Sequence, residues 1–320
     1  MKEPESMQRR AVLQQIVPAS VGGAIAIQSG ASLGDVSSTV GNSNHAPRTL
    51  VLMCDRYHNQ DYIRVALNRL FSELGLPVDY TTNYYELSSK LLAPYKLFIA
   101  FRDELIWPSG YSSGPAEEGS RQPQDGMENP GKFPPEKAEY WMTDDQGKAV
   151  KDFVADGNGL YSMHNNAFVS RSSADYRAVL GGVALGHPPV RPFKVRVTNK
   201  EHPITRDVHD FIVQDEQYFA QYDLDPKNLL LQGENLDGLT YKPGRRQPEE
   251  NARGTNVGQG QGANETIEQE LGPMSISGWA HEYGKGRVVF TSIGHTVEAM
   301  WQPEYMKIQK NAVRWLLRMN

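Results

Sequence analysis

The chain has 320 residues, 39% of them hydrophobic, and a net charge of −5. That length suits one elaborated α/β domain with tails, while 29 Gly and 20 Pro mark long irregular segments beside a core that is still sizeable. The acidic balance, with no Lys/Arg stripe, excludes a nucleic-acid surface, because phosphates need clustered cations. The single cysteine, Cys54, excludes an internal disulfide and a Cys-rich metal site.

Arg9 and Arg10 precede a weakly apolar stretch from Ile16 to Ile27, followed by the small residues Ser29, Gly30 and Ala31. That order resembles a twin-arginine export signal, which predicts a periplasmic or extracellular protein; without it the protein is expected in the cytoplasm. The stretch is too short and Gly-rich for a membrane span. Residues 1–47 are therefore expected to be signal and linker, and 48–320 the folded domain.

From residue 48 the chain alternates strand and helix. Thr49 to Cys54 reads as a buried strand, and Asp61 to Leu74 has the apolar spacing of one helix face, stopped by Gly75. Pro77 to Tyr80 is a short second strand, Tyr85 to Leu92 a helix, and Leu97 to Phe101 a third strand. Trp141 to Ala155 reads as a helix and Gly159 to Met163 as a fourth strand. Shorter strands follow at Phe193–Val197, Phe211–Val213, Leu229–Leu231 and Ser275–Ala280. A buried strand at Arg287–Ile293 and an amphipathic helix at Tyr305–Leu317 close the domain. The pattern predicts an α/β fold with a doubly wound, mainly parallel, flavodoxin-like sheet and a more antiparallel extension. Two long insertions, about 107–139 and 240–273, interrupt it as disordered segments or lids. Neither is a phosphate loop, since their Gly-x-Gly spacings do not follow a strand.

Polar clusters directly follow the buried strands: Asp55 to His58, Arg102 and Asp103, His164 to Asn166, and Gly294 with His295. Loops at the carboxyl ends of parallel strands converge above the sheet, so these clusters predict one shared pocket. Cys54 ends a strand and reads as an inert core thiol.

Gly157 to His164, His202 to Thr205, Asp215 to Tyr218 and Trp279 to His295 resemble the ThuA, or trehalose-utilisation, family, whose fold is similar to that of class I glutamine amidotransferases. The resemblance covers about residues 48–319. It implies a flavodoxin-like sheet and a link to sugar metabolism. Glutaminase chemistry itself is disfavoured. A nucleophile elbow needs Cys or Ser between glycines, whereas the turn after strand four reads Ser162, Met163, His164, Asn165, Asn166, with Ser162 inside the strand.

His164, His295, Glu216 and Asp215 are the candidate catalytic residues, because imidazole and carboxylate transfer protons near neutrality. Arg56, His58, Arg102, Asn165, Tyr218 and Trp107 are the candidate substrate-binding residues: forked guanidiniums and amides suit hydroxyls, and aromatic faces suit a sugar ring. Tyr57, Trp301 and Asn166 fit the same roles. The mix matches a small-molecule carbohydrate better than a nucleotide. His58, His164, Glu216 and His295 would also make an adequate divalent-metal site, although no short His-x-x-x-His pair anchors it. Several classes stay open: an enzyme acting on a glycoside or oxidised sugar by acid–base chemistry, a metal-assisted hydrolase, a non-catalytic sugar-binding module, and an interaction scaffold. A homo-oligomer is compatible with each.

Overall fold

Each end of the first helix is built from a residue that the helix needs. Asn59 caps α1 (Gln60–Leu74) by accepting from the backbone N–H groups of Asp61 and Tyr62, and Gly75 ends it at φ 65° in the left-handed region. Ile63, Ala66, Leu67, Leu70 and Phe71 form its buried face. These are features of a computed structural model that describes residues 46–108, 138–238 and 272–319. The segment expected to direct export and most of both insertions lie outside the described residues.

In chain order, β1 (Thr49–Met53) precedes α1, and β2 (Val78–Thr81), α2 (Ser89–Leu92) and β3 (Leu97–Phe101) follow it. The two-residue strands β4 (Leu105–Ile106) and β5 (Glu139–Tyr140) pair across the first insertion. Next come α3 (Asp144–Ala155), β6 (Gly159–Met163), α4 (Ala174–Leu180), β7 (Gly182–Gly186), β8 (Arg191–Val197) and β9 (Phe211–Asp215). The chain then runs through β10 (Phe219–Tyr222), β11 (Leu229–Asn235), β12 (Met274–Tyr283), β13 (Gly286–Thr291), α5 (Val297–Met300) and α6 (Pro303–Leu316).

The main sheet has nine strands in the order β2-β1-β3-β6-β13-β12-β11-β8-β9. Strands β2 through β13 are mutually parallel, and from β13 outward every pair is antiparallel. The parallel half has the flavodoxin-like order, with its reversal between β1 and β3, where such sheets bind ligands. The expected doubly wound sheet with an antiparallel extension is therefore present.

β1, β3 and β6 are buried along their whole length because both faces are covered. Val51, Met53, Ile99, Phe101, Tyr161 and Met163 pack with α1 and α6, while Leu50, Leu52, Phe98, Ala100 and Leu160 pack with α3 and α4. Alternate residues of one strand thus feed two cores. Register irregularities at Leu229 to Gln232 interrupt the β11–β12 ladder, and such bulges bend a sheet.

Two elements differ from expectation. The helix expected over Tyr85–Leu92 is a 3-10 turn at Tyr84–Glu86 and a separate turn at Ser89–Leu92, because Leu87 is extended and Ser88 caps a new start by accepting from the Leu91 N–H. The helix expected from Trp141 begins at Asp144, where Thr143 and Gln146 form a reciprocal capping box. Trp141 is instead anchored by its indole N–H, which donates to the Asp103 carbonyl at 2.6 Å. Among the described residues no helix is long and apolar enough to cross a membrane.

β13 carries the last of the polar clusters, and its entry is tightly packed. A Cβ on Gly286 would stand 2.0 Å from the Val154 carbonyl oxygen and 2.4 Å from that of Asn158. Backbone cannot yield as a side chain does, so Gly286→Ala is expected to lower stability by about 1–3 kcal/mol or more, measured by denaturant unfolding.

Candidate active site

The loop after β1 is organised by one carboxylate. The Asp55 carboxylate, fully buried, accepts from the backbone N–H groups of Tyr57 at 2.8 Å, His58 at 2.9 Å and Asp103 at 2.9 Å, and from the Asn165 side-chain amide at 2.8 Å. It also accepts from His58 Nδ1 at 3.0 Å. The loops after β1, β3 and β6 are thereby tied together. Burial opposes charge on Asp55, but His58 and these donors hold its carboxyl well below the usual carboxylate range. Burial also opposes charge on His58, and the facing Asp55 carboxylate outweighs it and raises the imidazole above its ordinary value.

His164 is the first residue beyond β6 and takes φ 53°, the left-handed region that a side chain adopts only at a cost of about 1–2 kcal/mol. It stands on the sharp strand-end turn where a nucleophile elbow would place its Cys or Ser. Its Nδ1 lies 2.7 Å from the Ser292 carbonyl oxygen, so Nδ1 carries the proton and Nε2 presents its lone pair. Ser162, as expected, is buried within β6, where its hydroxyl donates to Asn166 Oδ1.

The loop after β13 is held from β9. The Gly294 N–H donates to Asp215 Oδ2 at 2.7 Å and the His295 N–H to Asp215 Oδ1 at 3.0 Å. Asp215 therefore serves this turn, and burial raises its pKa above the ordinary value. Gly294 is required for space, since a Cβ there would stand 2.7 Å from the Cβ of His164. A left-handed turn is not its role, because Gly294 is not among the residues with positive φ.

Glu216, next to Asp215, points the other way. Its Oε2 lies 3.3 Å from His164 Nε2 and 3.3 Å from His295 Nδ1, while Oε1 lies 3.5 Å from His187 Nδ1. Burial disfavours its charge, yet the imidazoles of His187, His164 and His295 hold the carboxyl well below its usual range. His58 Nε2 is 3.1 Å from His164 Nε2 and 3.2 Å from His295 Nδ1. One ligand atom from each of His58, His164, Glu216 and His295 lies within 4.8 Å of all the others. His58, His164 and Glu216 side chains are at most 4% exposed, whereas His295 is 28% exposed and joins the cluster to solvent.

The remaining candidates are distributed around this centre. Tyr218 walls it, with its ring 4.7 Å from that of His164 and stacked on His187 at 4.5 Å. Asn165 holds Asp55, and its own Oδ1 is buried without a hydrogen-bond partner. Arg56 lies over Trp107 at 4.8 Å, and Tyr57 meets the same indole edge-on, forming a layer beside His58. The guanidinium of Arg102 donates to the Cys54 carbonyl and lies over Tyr84 at 4.3 Å, so it braces strand ends. Asn166 joins the Ser162 and Tyr176 hydroxyls within the core, and Trp301 lies under Arg69. Cys54, expected in the core, is half-buried with φ 78°, and burial pushes its thiol up. The sequence placed Asp55 in a strand-end cluster without a role of its own, and His187 reads there as a turn residue that could line the rim. Asp55 had a signal, as the first polar residue after a buried strand; His187, between Gly186 and Pro188, had none that distinguishes it from a turn residue.

The family model described as trehalose utilisation, ThuA, matches residues 133–316. That span contains His164, Glu216 and His295, while His58 precedes it. A ThuA-like protein from Bacteroides uniformis is 17% identical, with 87% of this chain and 94% of that one covered at a TM-score of 0.50. A ThuA-like protein from Parabacteroides merdae is 13% identical, with coverage of 85% and 90% and a TM-score of 0.53. At these identities the likeness concerns the fold alone. No curated protein sequence matches the chain.

Removing Asp55 would leave His58 and several buried N–H groups without their acceptor. Asp55→Ala is expected to cost about 3–5 kcal/mol in denaturant unfolding, the range for breaking a buried pair on one side. A loss below 1 kcal/mol would contradict the hub.

Proposed function

The chain belongs to the ThuA, or trehalose-utilisation, family, and from that membership we propose that it is a carbohydrate-converting enzyme acting on a glycoside or an oxidised sugar. The observation that carries the reading is the convergence of His58, His164, Glu216 and His295, with His295 alone substantially open to solvent. A substrate entering beside His295 meets imidazole and carboxylate groups together, the set needed for proton transfer or hydrolysis.

Two features favour catalysis over simple sugar binding. Glu216 is buried at the centre, whereas a binding groove for a neutral sugar has no need to bear the desolvation of such a carboxylate. His164 also holds a strained backbone conformation, which persists only where the surroundings enforce it. Covalent catalysis by Cys54 or Ser162 is not supported. The Cys54 thiol is kept protonated by burial, and the Ser162 hydroxyl is spent on Asn166.

The test is turnover by the full chain on a panel of disaccharides and their oxidised, keto-sugar counterparts, followed by NMR for bond cleavage or exchange of carbon-bound hydrogen. His295→Ala is expected to lower turnover by about 10²–10⁴ with an unchanged circular dichroism spectrum. Equal rates for variant and parent, or no change in any sugar, would overturn the reading.

We also propose export through Arg9 and Arg10, on the strength of their place before an apolar stretch and small residues. Replacing both with Lys should retain the protein in the cytoplasm of its native host, read by cell fractionation; unchanged distribution would count against it.

A further inference from the structure

The tautomers of two histidines are set from behind. His58 Nδ1 faces the Asp55 carboxylate at 3.0 Å, and His164 Nδ1 faces the Ser292 carbonyl at 2.7 Å. The carboxylate and the carbonyl only accept hydrogen bonds, so both Nδ1 atoms carry protons; the Asn165 amide, also 2.9 Å from His58 Nδ1, gives its hydrogen to Asp55, and both rings turn Nε2 inward. Those two Nε2 atoms are 3.1 Å apart. Two ring nitrogens at that distance need either a proton or a metal ion between them.

The other two members add to the same demand. Glu216 Oε2 is buried without a hydrogen-bond partner, although ring nitrogens of His164 and His295 lie 3.3 Å away. The atom is therefore close to the cluster but not aligned for a hydrogen bond to either ring. The four contacts around the cluster run from 3.1 to 3.3 Å. Tetrahedral bonds of about 2.0–2.2 Å to a shared ion place donors roughly 3.3–3.6 Å apart, within a few tenths of an ångström of these contacts.

We propose that His58 Nε2, His164 Nε2, His295 Nδ1 and Glu216 Oε2 bind one divalent transition-metal ion. Three imidazoles and one carboxylate favour zinc and its neighbours over magnesium or calcium, which demand mostly oxygen ligands. The surroundings are those a metal centre uses: Asp55 and the Ser292 carbonyl orient two ligand rings, and His187 braces the other Glu216 oxygen at 3.5 Å. This deepens the sugar-converting reading and rests on it for the ion's catalytic use, which is to activate water or polarise a sugar carbonyl or glycosidic oxygen. Binding itself stands on the donor geometry.

The test uses tag-free, full-length protein stripped with chelator and dialysed. Zinc and manganese are titrated by calorimetry, with magnesium and calcium alongside, and thermal melting is followed in parallel. One equivalent of zinc or manganese per chain with a raised melting temperature is expected, with magnesium and calcium silent at the same concentration. Glu216→Gln and His295→Ala should each weaken binding at least about 100-fold, more than the loss typical of an orienting residue. If Glu216→Gln loses its circular dichroism signature, the part-exposed His295→Ala decides. Absence of zinc and manganese binding at millimolar concentration, or undiminished binding in His295→Ala, overturns the inference. Metal binding with no sugar turned over leaves the ion in place and removes the sugar reading. Full turnover by stripped protein in chelator leaves the sugar reading in place and removes the ion's catalytic use.

Discussion

The structure around the centre depends on the burial of Asp55. This carboxylate sits at the end of the first strand, takes backbone N–H groups from its own loop and from Asp103, and receives the Asn165 amide and the His58 ring. A buried charge is tolerated only when its lone pairs are satisfied, and here every donor comes from a loop that must converge for the site to exist. The cost of desolvating one carboxylate is thus offset by contacts that hold the ends of β1, β3 and β6 in register. His58 acquires its orientation as a result.

Asp215 and Glu216 show how adjacent carboxylates acquire different jobs from their surroundings. Asp215 closes β9 and faces the backbone N–H groups of Gly294 and His295, so it shapes a turn. Glu216 faces three imidazoles, so its charge is matched and its carboxyl stays ionised. Alternation along extended chain separates them: one carboxylate points to the β13 loop, the next into the histidine cluster. The arrangement also accounts for Gly294, which leaves the space that the His164 side chain occupies.

The fold keeps the elbow familiar from nucleophilic enzymes and changes what stands on it. His164 occupies the strained position after β6, its ring held by the Ser292 carbonyl and walled by Tyr218. Strain of this kind persists when neighbours over-determine the conformation. The consequence is a polar, imidazole-rich centre in place of a thiol or hydroxyl, reached by solvent past His295.

Much of this was legible in the sequence. The apolar runs at β1, β3, β6 and β13 are long enough to be buried on both faces, and a strand so buried must end in a loop that carries its polar groups. His58, His164 and His295 were therefore locatable at strand ends, and Gly75 marked the end of α1, because these signals are local. What only the tertiary structure decided is which side chains meet. β9 stands at the far edge of the nine-stranded sheet, yet its end reaches the β13 loop, so Glu216 joins histidines from three other loops. Arg102, equally polar and equally placed after a strand, is directed to the Cys54 carbonyl and Tyr84 instead. Periodicity reports burial one element at a time; the direction of a side chain in a convergent loop is set by partners tens to hundreds of residues away, and those partners are adjacent only once the sheet has formed.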